Sequence, residues 1–377
     1  MTDLPEIHGD CPPRFAAVRD AFAANFSHAP EGLNELAASF SVCIDGETVV
    51  DLRGGWADTA RTRPFGADTL VPVFSTGKAV MATLIALCVE GGLLDYEMPV
   101  SSYWPAFGAA GKEAITLGQL MSHQAGLPGF DDAAEPSIWF DRATVLERLC
   151  AQAPMWPPGT ASGYHPITIG YLAGEVFRLV DGRSMGAALR EEFPGLDLWI
   201  GLPEAEHDRV AQMRKPTAAP DLGEIDAVKR AAFLDRGSAP GGRGSTEWRM
   251  MEIPSANLHG TAKDMARFMT VAATGELDGR TVLSAGTLAQ MRRERIAGPD
   301  RVVPFDMSWA AGVMRNARLG VFGPNPEAVG HSGWGGSCAW ADPGARLSAA
   351  YVMTRQSPHL IGDPRAVRLQ QALYASL

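Results

Sequence analysis

The chain has no apolar run near the ~18 residues that a membrane-crossing helix requires, so no transmembrane helix is expected. It has no block of Lys and Arg, and its 33 basic against 43 acidic side chains leave a formal charge of −10. That balance argues against nucleic acid and anionic membrane as partners. No Cys/His cluster has zinc-ligand spacing, and no glycine-rich phosphate loop of Walker or dinucleotide type is present, so neither a metal nor a cofactor is expected. The five cysteines, Cys11, Cys43, Cys88, Cys150 and Cys338, are odd in number and scattered, as free thiols of a reducing cytoplasm would be. Met1–Glu6 carries neither a basic n-region nor an apolar h-region, so no secretory leader is expected and the expected location is cytoplasmic.

What is present reads as an ordinary globular composition, 46% hydrophobic and 20% charged, long enough for two or three domains or one large domain with an insertion. Phe15, Val18, Phe22 and Phe26 recur at helical spacing. Phe40, Val42 and Ile44 alternate with Ser39, Ser41 and Cys43, and Asp45-Gly46 then links this run to a second strand-like run, Thr48–Leu52, which predicts a hairpin. A buried-looking helix follows Ser75 and ends near Gly91-Gly92. From about residue 95 to 225 short helices dominate, including one over 141–152 N-capped by Asp141 and one over 167–179. Residues 214–257 are rich in Pro, Gly and charge and read as a long irregular excursion. Thr261 and Asp264 form a capping-box pattern at the start of another helix. Strand-like runs over 307–313, 337–341 and 347–354 and a helix over 366–374 close the chain. With strands at both ends and helices between, the expected build is a mixed α/β (α+β) protein. Its antiparallel sheet domain is formed by residues 1–95 and 226–377, and a mainly helical insertion spans 96–225.

Three stretches carry chemistry. In Phe74-Ser75-Thr76-Gly77-Lys78 a serine and a lysine stand three residues apart at a helix start, where Cβ atoms are roughly 5–6 Å apart and free N–H groups favour developing negative charge. A hydroxyl beside a basic group in a positive local field is an activated nucleophile. The plain structural alternative is a capping serine and a solvated lysine. Tyr164 follows the rigid turn Trp156–Thr160, and Pro166 biases His165 away from the α region, so Tyr164 is expected on a loop. A phenol beside the Lys78 ammonium is biased towards phenolate and could then accept the Ser75 proton; otherwise it is a half-buried tyrosine. In Gly330-His331-Ser332-Gly333-Trp334-Gly335-Gly336-Ser337, just before a strand, glycines allow close backbone approach to a ligand, and the Trp334 N–H could complete an oxyanion hole with that of Ser75. His123 and His259 are read as structural.

Ser-x-x-Lys, a tyrosine motif about ninety residues on, and a His/Lys-Ser/Thr-Gly motif near the C-terminus together resemble the serine β-lactamase and penicillin-binding-protein superfamily. The tyrosine in the second motif makes the chain similar to class C β-lactamases and most of all to family VIII carboxylesterases. Leu120–Pro128, Pro158-Gly159-Thr160 and Leu258–Ala266 support the match, which spans about residues 14 to 355. The resemblance implies a β-lactamase/transpeptidase-like fold with about five core strands. It also implies Ser75 as nucleophile, Lys78 and Tyr164 as the base system, and acyl transfer through a covalent intermediate.

Two departures bear on substrate. Pro166 stands where class C enzymes have an asparagine, and His331 stands where they have a lysine. His331 is mostly neutral at pH 7, so both contacts to a β-lactam are weakened. The expected function is hydrolysis of short-chain carboxylic esters, with His331, Ser332, Gly333 and Trp334 binding a small-molecule ester substrate. The alternatives are a β-lactamase or a D-amino-acid amidase/peptidase of the same superfamily. A non-catalytic binding protein on this scaffold is disfavoured, since Ser75, Lys78 and Tyr164 are all present. Oligomeric state is left open.

Overall fold

The computed structural model describes residues 4–377. Its centre is a nine-stranded antiparallel sheet: β1 (Ile7–Asp10), β2 (Ala37–Ile44), β3 (Glu47–Gly55), β4 (Ile296–Pro299), β5 (Asp306–Trp309), β6 (Met314–Arg315), β7 (Val329–Ser332), β8 (Cys338–Asp342) and β9 (Leu347–Met353). The spatial order is β1-β3-β2-β9-β8-β7-β6-β5-β4. Both ends of the chain therefore meet in one sheet, with β9 paired to β2 from Leu347↔Ile44 to Met353↔Ala38. The central strands β3, β2, β9, β8 and β7 correspond to the expected core, and short edge strands extend it. The β2–β3 hairpin turns at Asp45 and Gly46, both with positive φ (51° and 86°), the conformation that makes Asp-Gly the favoured two-residue link.

The alternation seen in β2 assigns the two faces. Phe40 and Val42, with Leu52, Trp340 and Tyr351, make one core with helix α1 (Ala16–Ser27) and the closing helix α5 (Pro364–Tyr374). On the other face the side chains are small: Cys43, Ala339, Ala341 and Ala350. Helix α4 (Ala262–Thr274) packs there, close enough for Ser348 to donate to the Ala266 carbonyl at 2.7 Å. Thr261 caps this helix by accepting from the Asp264 N–H, as its sequence pattern predicts. Behind α4 lies helix α2 (Lys78–Glu90), buried over nearly its whole length and packed on helix α3 (Thr168–Asp181). Asp141 caps the helix Arg142–Ala151. All five cysteines are free thiols, and no helix among the described residues is long and apolar enough to cross a membrane.

Three differences from the sequence expectations are found. Only 307–309 of the run 307–313 is strand; a tight turn follows, in which the Ala310 N–H donates to the Val313 carbonyl, and the next strand begins at Met314. Gly330-His331-Ser332 lies within strand β7 rather than ahead of a strand, and only 333–337 is the turn before β8. The 214–257 excursion contains short helical segments at Ala227–Leu234 and Thr246–Met250. In the first two cases pairing with a neighbouring strand decides the backbone, which overrides weak local propensity, whereas the two helices are capped locally by Asp226 and Ser245.

Phe40 is fully buried, with its ring 6.1 Å from that of Trp340. Phe40→Ala is expected to lower the unfolding free energy by about 3–5 kcal/mol, read from urea denaturation followed by far-ultraviolet circular dichroism.

Candidate active site

Ser75 sits in a short 3-10 turn, Phe74–Gly77, one step before α2. Phe74 has φ of +50°, a left-handed conformation uncommon for a bulky residue and of the kind that concentrates at functional sites. The turn is held from outside: Ser337 Oγ donates to the Val73 carbonyl at 2.9 Å and lies 3.0 Å from Thr76 Oγ1. The 333–337 turn presses so close that a Cβ on Gly333 would fall 2.2 Å from the Val73 oxygen. Ser75 is thus not a helix-capping residue, and Lys78, the first residue of α2, is completely buried rather than solvated.

Lys78 Nζ has three neighbours within hydrogen-bond range: Ser75 Oγ at 2.9 Å, the Pro166 carbonyl at 2.8 Å and the Ser255 carbonyl at 2.8 Å. No carboxylate pairs with it, and burial lowers its pKa well below the ordinary lysine value. The Tyr164 hydroxyl donates to Ser75 Oγ at 2.7 Å from the loop ahead of α3, where the sequence places it. Burial raises the Tyr164 pKa, the hydrogen bond to Ser75 opposes that shift, and the Asp300 carboxylate adds to it. This corrects the expectation of a phenolate. Burial disfavours the charged form of both groups, moving the amine down and the phenol up, and so opposes an ammonium–phenolate pair.

Asp300 positions the tyrosine loop. Its carboxylate accepts from the Tyr164 N–H (2.9 Å), Ser162 Oγ (2.8 Å) and Trp309 Nε1 (3.1 Å), as well as from the Val302 and Val303 amides. The Trp309 ring lies parallel to that of Tyr164, with centroids 5.8 Å apart. Neither Asp300 nor the carbonyls of Pro166 and Ser255 are visible as motif residues. Backbone oxygens leave no side-chain signature, and Asp300 lies 136 residues from the tyrosine it holds.

Of the third motif, His331, Ser332 and Trp334 line the same cavity as Ser75 and Tyr164, whereas Gly333 is absent from that wall and works through its close approach to Val73. Neither the Ser75 nor the Trp334 N–H has an acceptor among the described residues. His331 is buried, with Nδ1 2.8 Å from the Ser332 carbonyl, and burial, reinforced by Lys78, pulls its pKa down to about 3. His123 packs edge-on to Tyr164 and Trp309 and accepts from the His165 N–H at 3.2 Å; His259 faces Trp248. Neither histidine hydrogen-bonds Ser75.

A family model described as Beta-lactamase matches residues 22–373. The chain belongs to the Beta-lactamase family. It is 36% identical over 375 residues to "Esterase/beta-lactamase LipL" of Mycobacterium tuberculosis, covering 95% of this chain and 85% of the relative. Among solved structures it is similar to a penicillin-binding-protein homologue from Caulobacter crescentus, at 54% identity, TM-score 0.96 and coverage of 99% and 100%. It is likewise similar to a family VIII carboxylesterase, at 40% identity, TM-score 0.91 and the same coverage. This β-lactamase-fold chain is a serine hydrolase.

His331 being neutral when folded but protonatable when unfolded has a thermodynamic consequence. The unfolded state binds more protons, so the stabilisation is complete above about pH 6.5 and is lost as the pH falls towards 3. His165 and His259, pulled by burial to about 3, behave in the same way. Each is expected to contribute a slope of about 1.4 kcal/mol per pH unit in that window. Urea midpoints at several pH values should show His331→Gln losing one such slope relative to wild type; equal slopes would mean the folded His331 is protonated.

Proposed function

We propose that this chain is a carboxylesterase that cleaves short-chain esters through an acyl-enzyme on Ser75. The observation that carries the reading is the convergence of Lys78 Nζ and the Tyr164 hydroxyl on one serine oxygen, in a largely apolar cavity whose third motif brings no charge. The neutral Lys78 amine donates its two N–H bonds to the Pro166 and Ser255 carbonyls, leaving its lone pair for the Ser75 proton. As Ser75 Oγ attacks the ester carbonyl, Lys78 takes that proton, and the oxyanion accepts from the free N–H groups of Ser75 and Trp334. The tetrahedral intermediate collapses. Tyr164 gives its proton to the departing alcohol oxygen and regains one from the Lys78 ammonium. Water then repeats the sequence on the acyl-enzyme, releasing the acid and restoring Ser75.

The similarity to a family VIII carboxylesterase supports an ester, as does the word esterase in the name of LipL. Pro166 offers no side-chain amide, and His331 is uncharged, so two contacts useful to a β-lactam are missing. One charge-assisted hydrogen bond is worth roughly 1.5–3 kcal/mol, about 10–150-fold. Because the acyl chemistry is shared, a slow lactamase activity accompanies the esterase activity in this reading. A cytoplasmic location is the setting we propose, in keeping with five free thiols.

The direct test sets a chromogenic butyrate ester beside a chromogenic cephalosporin. The ester is expected to be turned over far faster, and strong cephalosporin turnover with negligible ester turnover would reverse the assignment. A fluorophosphonate should label Ser75 alone, and Ser75→Ala should abolish both labelling and turnover.

Lys78→Ala is expected to cost about 10²–10⁴-fold in kcat. Combined with Tyr164→Phe it should cost little more than the worse single change, since the two act on one proton. With a depressed Lys78 pKa, activity falls as the pH drops through that value; with a raised Tyr164 pKa, activity holds on a plateau through mildly alkaline pH. A profile of kcat/KM that instead climbs steadily through alkaline pH would restore the phenolate as base.

A further inference from the structure

The cavity containing Ser75, of about 110 Å³, shares Phe74, Phe233, Pro240, Arg243, Trp248 and Trp334 with a larger vestibule of about 940 Å³ beneath the 210–222 segment. Among the described residues no Asp or Glu lines either space, although the chain carries 43 acidic residues. Three cations do line the vestibule: Lys215, Arg243 and Arg249. Several arginines elsewhere are held by carboxylates; Arg183, Arg209 and Arg267 each bridge at least two. Among the described residues none of the three vestibule cations has an acidic partner. Arg249 reaches only the His207 carbonyl, at 3.4 Å, and its Nε has no partner. Arg243 makes no hydrogen bond at all. Its guanidinium lies over the rings of Phe74 (5.9 Å) and Trp334 (5.6 Å), the neighbour of Ser75 and a residue lining the same cavity.

We infer that Arg243 binds a carboxylate on the substrate, so that the preferred esters are anionic ones: half-esters of dicarboxylic acids, or esters whose alcohol part bears a carboxylate. Two aromatic faces orient a guanidinium through its π surface and leave its N–H edges open to solvent and free of protein partners, and that planar fork of donors matches a carboxylate. A cleft lined by one sign of charge within low-dielectric walls also concentrates ions of the other sign. His331 contributes nothing to this field, so the charge enters from the 238–244 loop instead of from the third motif. One aromatic-flanked fork with two more distant cations suits a planar monoanion better than a phosphate dianion. The inference rests on the esterase reading for its substrate class, although the anion contact itself does not.

Three esters separate the outcomes: 4-nitrophenyl butyrate, the 4-nitrophenyl half-ester of glutaric acid, and the butyrate ester of 5-hydroxy-2-nitrobenzoic acid. The first is neutral, the second carries its carboxylate on the acyl side and the third on the leaving side. In Arg243→Ala, kcat/KM for at least one anionic ester should fall about 10–100-fold while the neutral ester changes little. Arg243→Lys should recover part of the loss, and added NaCl should erode the wild-type preference for the anionic ester. Equal losses on all three esters, or none, would overturn the inference. Slowing of fluorophosphonate labelling of Ser75 by glutarate provides a readout without ester turnover. If wild type cleaves none of the esters, the esterase reading fails on its own, and glutarate protection that is lost in Arg243→Ala still supports the anion contact. Absence of protection in wild type counts against it.

Discussion

Lys78 is a fully buried amine with no counter-charge, and much of the molecule follows from what that requires. A buried ammonium without a carboxylate is expensive, so burial drives the pKa of this group well down and favours the unprotonated, basic amine. Two backbone carbonyls then satisfy its two N–H bonds, and these come from Pro166 and Ser255, on segments 89 residues apart. Burying the amine requires an apolar helix, and Lys78–Glu90 is one. Presenting the carbonyls requires α3 to stand against α2, and the two helices pack together. The arrangement explains why a site built for proton transfer contains a lysine and a tyrosine rather than a histidine and an acid. Burial moves the amine down and the phenol up, separating an acceptor from a donor across one serine hydroxyl.

The sheet supplies the opposite wall. Its small-residue face admits α4 closely, and its 333–337 turn locks onto the nucleophile turn through Ser337 and the close approach of Gly333. Within the turn the Gly336 N–H donates to the Gly333 carbonyl, which shares a peptide plane with the Trp334 N–H, while the Ser357 N–H donates to the Gly335 carbonyl and Gln356 Nε2 to that of Trp334. The strained Phe74 backbone persists because both of its neighbours are held by groups from elsewhere in the chain. Rigidity of this kind fixes the backbone on both sides of the cavity, at Ser75 and Trp334, whose N–H groups have no acceptor among the described residues.

Some of this was legible from residues alone, and the reason is locality. The β2–β3 hairpin depends on Asp45-Gly46, the two helix caps on Asp141 and Thr261, and the face assignment of β2 on its own alternation. All are short-range patterns in which residue type and backbone need are directly coupled. Ser75, Lys78 and Tyr164 could be named because motif order restricts chemistry even when each motif is weak. Where pattern and pairing competed, as over 307–313 and 330–332, pairing with a distant strand prevailed.

By itself the sequence determined the fold class, the serine–lysine–tyrosine trio and the absence of a lysine from the third motif. These properties reside in side-chain identity and spacing. Tertiary structure alone decided the protonation pattern, because a pKa depends on how much water remains around a group, and burial is a property of the whole chain. For that reason the phenolate expected from a nearby ammonium gave way to a phenol whose pKa burial raises, beside an amine whose pKa burial lowers. Tertiary structure also brought in the Pro166 and Ser255 carbonyls, the Asp300 carboxylate and the unpaired Arg243. Each acts on a partner far along the chain or through backbone atoms that every residue shares, and only folding brings those atoms together.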